Sequence, residues 1–276
     1  MRPILCSLLL AATAFTQTNA QVYSPASGPS KGALLVIGGG AVGKEIMDRF
    51  AALAGGYDAP IVLIPTAGDP DTYDPHSGEA GVLGKAGFTN ITLLHTRDRK
   101  LADTTEFAAP LRRARGVWLA GGRQWRLVDS YLNTRTHREL EALLDRGGVI
   151  AGSSAGATIQ ASYMVRGAKE GNTIMMAKGY EEGFGFLHPV AVDQHLIKRK
   201  RENDMVQVVA AHPELLGIGI DEATAIEVHG STFEVMGPSK VAIYDINTPG
   251  PDGKPYYFLS AGDKFDMKSR RLLQTR

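Results

Sequence analysis

Cysteine is almost missing from this chain: of 276 residues, only Cys6 is one. Over the rest of the sequence this excludes a disulfide framework, a thiolate nucleophile and a Cys-based zinc site. An excess of one charge is missing too, with 30 Lys and Arg against 29 Asp and Glu. A nucleic-acid partner, which calls for a basic surplus, is therefore not expected. Beyond the N-terminus no apolar run reaches the roughly 18 residues a membrane-spanning helix needs. His-Glu-x-x-His is absent. His188 and His195 lie seven apart, but Pro189 denies them a shared helical face, so no metal site is expected. No cofactor is expected either.

The N-terminus carries an address. Arg2 precedes a mostly apolar stretch, Ile4 to Phe15, and Thr18-Asn19-Ala20 offers small residues to a signal peptidase. Residues 1–20 are expected to be a secretory signal peptide cleaved after about Ala20, which removes Cys6 and implies a secreted or periplasmic protein with no membrane segment in its mature form. Residues 21–31, rich in Gly, Ser and Pro, read as an N-terminal tail, and 32–276 as a single domain.

That domain alternates short apolar runs with helical spacing. Ala33–Ile37, Pro60–Ile64, Ile91–Leu94, Gly116–Ala120 and Gly148–Ala151 read as buried strands. Ala41–Leu53, Glu79–Ala86, Arg135–Asp145 and Ala155–Ala161 read as helices. The pattern predicts an α/β fold, a mostly parallel central sheet flanked by helices. Arg199–Ala211 reads as a further helix. Runs at Ile218–Ile220, Thr224–Val228, Thr232–Met236 and Val241–Tyr244 predict a C-terminal antiparallel β extension of the same domain.

Gly38, Gly40 and Gly43 match the dinucleotide fingerprint G-x-G-x-x-G, but the acidic residue that should follow the second strand is absent; Ile64-Pro65-Thr66-Ala67 stands there. The plainer reading is a tight turn with bare backbone N–H groups. Gly152-Ser153-Ser154-Ala155-Gly156 fits G-x-S-x-G between a strand and a helix, the setting in which a sharp turn presents a serine nucleophile. Ser154 is its central serine. Of seven histidines, His195 stands out: Asp193-Gln194-His195 follows the apolar Val190–Val192 and precedes Lys198, Arg199, Lys200 and Arg201. Basic residues there suit an anionic ligand. Glu170, Glu182 and Asp193 are each open as the acid that orients the imidazole. An α/β-hydrolase-type esterase would share the elbow but place its histidine late, at His229. A non-catalytic binding protein on the same fold is the remaining alternative.

Taken in order, these motifs resemble the cyanophycinases. The shared set is Gly38-Gly39-Gly40, Ile64-Pro65-Thr66-Ala67, Gly121-Gly122-Arg123-Gln124, Gly152-Ser153-Ser154-Ala155-Gly156-Ala157, Asp193-Gln194-His195 with Arg199 and Arg201, and Gly219-Ile220-Asp221-Glu222. It covers about residues 32–245. The resemblance implies a serine peptidase with a class I glutamine amidotransferase-like fold, commonly homodimeric, cleaving cyanophycin or a similar aspartyl peptide to β-Asp-Arg. Ser154 would be the nucleophile, His195 the base and Glu170 the third member, since the family's glutamate is expected between the two. The backbone of Gly39, Gly40 and Ala155 would hold the oxyanion. Gln124, Asp193, Gln194, Arg199 and Arg201 would line the pocket. Some relatives carry an arginine nine residues after the histidine; here that position is Asp204.

Overall fold

Ala33–Ile37 is apolar at every position because the strand it forms is covered on both faces. Leu34 and Val36 face one core cluster, while Ala33, Leu35 and Ile37 face another. A computed structural model of the chain describes residues 27–251 and 253–274. The expected signal peptide and residues 21–26 of the expected tail lie outside them. Ser27 and Gly28 are tied down, bonded through their backbones to His188 and Gly230.

The chain runs β1 (Ala33–Ile37), α1 (Lys44–Ala54), β2 (Ile61–Ile64), α2 (Gly78–Ala86), β3 (Ile91–Leu93), α3 (Arg99–Ala102), α4 (Thr105–Arg113), β4 (Gly116–Leu119), α5 (Gln124–Tyr131), α6 (Arg135–Asp145), β5 (Val149–Ser153) and α7 (Ala155–Thr158). It continues through β6 (Ala161–Tyr163), β7 (Leu187–Gln194), α8 (Asp204–Ala211), β8 (Leu216–Ile220), β9 (Ala225–His229), β10 (Thr232–Met236), β11 (Val241–Tyr244), β12 (Tyr257–Leu259), β13 (Lys264–Asp266) and β14 (Arg271–Gln274).

Two sheets result. The larger has nine strands in the order β14-β13-β10-β9-β1-β5-β4-β2-β3. Its half from β1 to β3 is parallel, as expected of strands joined by helices. β9 then runs antiparallel beside β1, and β10, β13 and β14 extend that edge.

The C-terminal strands do not form one extension. β8 and β11 belong to a second, five-stranded sheet, β12-β11-β8-β7-β6, in which β8 runs parallel to β7. The reason is burial on both faces. Leu216, Ile218 and Ile220 join the core cluster that also contains β1 residues, and Gly217 sits against Met205 of α8. A strand buried on both sides carries no alternation that would reveal which sheet it enters.

Two helices are shorter than their apolar patterns suggest. α7 is one turn, after which the chain enters β6. α8 begins at Asp204 rather than Arg199, because a run of basic residues opposes a helix N-terminus whereas an aspartate favours it.

Leu34 is fully buried in the cluster that joins the sheets. Leu34→Ala is expected to cost about 2–5 kcal/mol in urea unfolding with an unchanged slope. A loss below about 1 kcal/mol would show that the two sheets are not packed through this position.

Candidate active site

Ser154 stands between β5 and α7 with φ +55° and ψ −111°, a backbone region that an L-residue occupies only under constraint. The constraint is legible in its neighbours. A β-carbon on Gly152 would lie 2.0 Å from the Gly156 carbonyl oxygen, and one on Gly156 would lie 2.1 Å from the Leu119 carbonyl oxygen at the end of β4. Only glycines at both positions let the turn close this tightly.

His195 lies one residue beyond β7 and Glu222 two residues beyond β8. Because these strands pair in parallel, with Gln194 opposite Ile220, both side chains emerge at the same end of the second sheet. Ser154 Oγ lies 2.9 Å from His195 Nε2, and His195 Nδ1 lies 2.6 Å from Glu222 Oε1. An ionised carboxylate only accepts, so Nδ1–H donates to Glu222 and Nε2 is left to accept the serine proton. Burial is the largest influence on His195 and pushes its pKa below the ordinary value. The hydrogen bond to Glu222 pulls it up, and the nearby charges of Arg199 and Arg201 push it down.

The acid on the imidazole is therefore Glu222, not Glu170. Glu170 is exposed in the loop after β6, and Glu182 is exposed as well. Asp193 is also not on the imidazole. Neighbouring strand ends, rather than order along the chain, bring the acid to the base. The motif Gly219-Ile220-Asp221-Glu222 at the end of an apolar run was the signal that could have found it.

Gly39 and Gly40 sit on the base side of Ser154. A β-carbon on Gly39 (φ +105°) would lie 2.4 Å from His195 Cε1, and one on Gly40 (φ +71°) would lie 2.8 Å from Glu222 Oε2. Their glycine character answers to this packing. Gly121 approaches the serine from elsewhere: a β-carbon there would touch Ser154 Cβ at 3.4 Å. Neither Gly121 nor Gly122 donates its N–H to a carbonyl of the described residues. Ala155 opens α7, so its N–H has no partner within the helix.

The expected pocket residues divide. Asp193 is 0% exposed, and both its oxygens are taken by Arg166, at 2.7 and 2.8 Å. Arg166 also holds Asp204 and the Asn172 carbonyl. Asp193 thus offers no free oxygen to a ligand; nothing in the spacing of residues 166 and 193 marks them as partners. Gln124 is buried too and donates to the Val165 carbonyl at 2.8 Å. Gln194 turns inward, where its Oε1 and its backbone oxygen accept from Arg201. Arg201 is only 7% exposed and makes no direct ion pair among the described residues; burial and the Arg166 charge lower its pKa, against the opposing pull of the Asp193 and Asp204 charges. Arg199 is exposed and makes no ion pair among the described residues. Two guanidinium groups without a direct ion-pair partner among the described residues therefore stand beside the base.

Asp221 fixes the turn that carries these groups. Burial opposes its charge, but bonds from Ser239 and from backbone N–H groups, Lys198 and Ile197 among them, outweigh that and lower its pKa.

The fold and the Ser–His–Glu chain define a serine-type peptidase. A sequence model of peptidase family S51 matches residues 34–236, and the chain belongs to that family. It is 31% identical to a cyanophycinase of Trichormus variabilis over 88% of each chain. It is 32% identical to a cyanophycinase of Geminocystis herdmanii over 78% of this chain and 81% of that one. Among solved structures, a peptidase from an acI-B1 Actinobacterium superposes with a TM-score of 0.64 at 23% identity, covering 87% of this chain and 98% of that one.

Four outcomes are expected. Glu222→Gln should lower kcat by roughly a thousandfold or more, the scale of a lost triad acid. Glu170→Gln should stay within about twofold of the unmodified enzyme. The acid limb of kcat/KM should reach half-height below about pH 6.5, because His195 must be neutral to act as a base. Arg199→Gln removes a charge that lowers the His195 pKa, so it should move that limb upward; a downward shift would contradict the assignment.

Proposed function

We propose that this chain is an exported serine peptidase that hydrolyses cyanophycin, or a closely similar aspartyl peptide, to β-Asp-Arg. The observation that carries the reading is the pair of arginines without a direct ion-pair partner among the described residues, Arg199 and the buried Arg201, beside a Ser154–His195–Glu222 chain. A guanidinium with open donors beside the base suits a ligand carboxylate. A polyaspartate backbone supplies carboxylates. The identity of 31–32% with proteins named cyanophycinases supports the same substrate. Export rests on the sequence pattern of residues 1–20.

His195 Nε2 takes the proton of Ser154 as Oγ attacks the scissile carbonyl. Glu222 holds the imidazole tautomer and stabilises the imidazolium that forms. The tetrahedral oxyanion accepts from the Ala155 N–H and from the Gly121–Gly122 turn, which stands beside Ser154 with free donors. His195 then gives its proton to the leaving amine. Water, deprotonated by His195, hydrolyses the acyl-enzyme ester and restores Ser154.

The test is release of soluble β-Asp-Arg from insoluble cyanophycin, followed by mass spectrometry, for the enzyme and for Ser154→Ala. Release by the unmodified enzyme and a loss of roughly a thousandfold or more in the variant are expected. Fluorophosphonate labelling of Ser154 without release would replace cyanophycin by another aspartyl peptide. Absence of both labelling and release would overturn the peptidase mechanism.

A further inference from the structure

A cavity of about 270 Å³ opens beside Gly121, on a flank of Ser154 that neither the triad nor the arginine pair uses. That volume is below the roughly 300–1,000 Å³ of sites for whole small molecules; it is the size for one large side chain. Its floor is apolar, made by Leu63, Leu93 and Ala120 at the ends of β2, β3 and β4. Its roof is the loop between β2 and α2. Asp74 and Glu79 line it, and among the described residues no lysine, arginine or histidine does.

The loop is held in place from outside. Arg97 donates to the carbonyls of Gly68, Asp69 and Pro70 and to the Asp71 carboxylate. Arg126 holds Asp69 and the Ala67 carbonyl. The cavity therefore exists before any ligand arrives.

Three acceptors in it are unspent. Glu79 Oε1 accepts from Trp118 Nε1 at 2.8 Å, whereas Oε2 has no partner among the described residues. Asp74 Oδ1 caps the His76 N–H, and Oδ2 is free in the same sense. The Tyr73 hydroxyl is buried with no hydrogen-bond partner among the described residues. Burial raises the Tyr73 pKa, so the phenol keeps its proton and a lone pair for a donor.

An apolar floor with acceptors and negative charge above it matches a side chain with a methylene stem and a multi-donor cationic head. We propose that this cavity is the subsite that receives the arginine side chain of the substrate, with Glu79, Asp74 and Tyr73 around the guanidinium. This rests on the cyanophycin reading above. The active site would then be charged in opposite senses on its two flanks, cationic at Arg199 and Arg201 and anionic here. A repeating unit that pairs backbone carboxylates with an arginine presents the same two charges.

The experiment compares two short polyaspartate peptides, one with arginine on each β-carboxyl group and one with citrulline, which keeps the shape without the charge. Glu79→Gln retains Oε1 for Trp118, and Asp74→Asn alters an exposed residue, so both variants are expected to fold, which thermal unfolding checks. The unmodified enzyme should prefer arginine over citrulline. The double variant Glu79→Gln/Asp74→Asn should raise KM for the arginine peptide by roughly tenfold or more, leaving its kcat and the citrulline kinetics within about twofold. Asp74→Asn alone should show part of the same effect. Absence of a preference in the unmodified enzyme, or an equal effect of the variants on both peptides, would overturn the subsite while leaving the substrate reading intact. Cleavage of neither peptide would overturn the substrate reading, and the subsite with it.

Discussion

The close approach of the Ile37–Gly39 backbone to the ends of β7 and β8 is the contact on which the site depends. Through it one short turn holds all three segments of the triad. The Ile37 carbonyl accepts from the Ser154 N–H at 3.0 Å, and the Gly38 carbonyl accepts from the His195 N–H at 2.9 Å. The segment that carries Glu222 is gripped from both sides, by Ala223 N–H to the Gly39 carbonyl and by Gly38 N–H to the Thr224 carbonyl. No side chain fits in this junction. A β-carbon on Gly38 would lie 2.1 Å from the Asp221 carbonyl oxygen. The glycine run after β1 is thus the joint between the two sheets, which explains why it resembles a dinucleotide loop without being followed by the acid such a loop requires.

Strain and charge are both concentrated at this joint. Ser154 and His195 each have φ near +55°, a conformation that persists only where the surroundings over-determine it. The parallel ladders, the glycine contacts and the carboxylate of Asp221 supply that determination. Buried charge is handled in two ways. Asp193 pairs with Arg166 through both oxygens, and Asp204 adds a second carboxylate to the same guanidinium. Among the described residues Arg201 hydrogen-bonds to the neutral oxygens of Gln194 and to no carboxylate. The first arrangement fixes the end of β7 two residues before the base; the second leaves a cation available to a ligand.

Much of this was legible in the sequence. Unbroken apolar runs marked the parallel strands, and the glycines at positions 152 and 156 marked the elbow, because both patterns follow from local sterics. The sorting of C-terminal strands between two sheets was not legible, since Leu216–Ile220 is buried on both faces and shows no alternation. Glu222 was hidden for a related reason. Its place beside His195 comes from the pairing of β7 with β8, a long-range fact, whereas the order along the chain that the resemblance implied, acid between serine and histidine, pointed to Glu170. Asp193 looked like a pocket residue because it precedes the histidine, and only the fold brings Arg166 onto it.

The central claim is that Glu222 orients His195 toward Ser154. Proton NMR of protein carrying nitrogen-labelled histidine tests it most directly, because a short Nδ1–H bond to a carboxylate moves that proton far downfield. The account predicts such a resonance in the unmodified protein and in Glu170→Gln, and its loss in Glu222→Gln. A resonance that survives in Glu222→Gln, or disappears in Glu170→Gln, would contradict it.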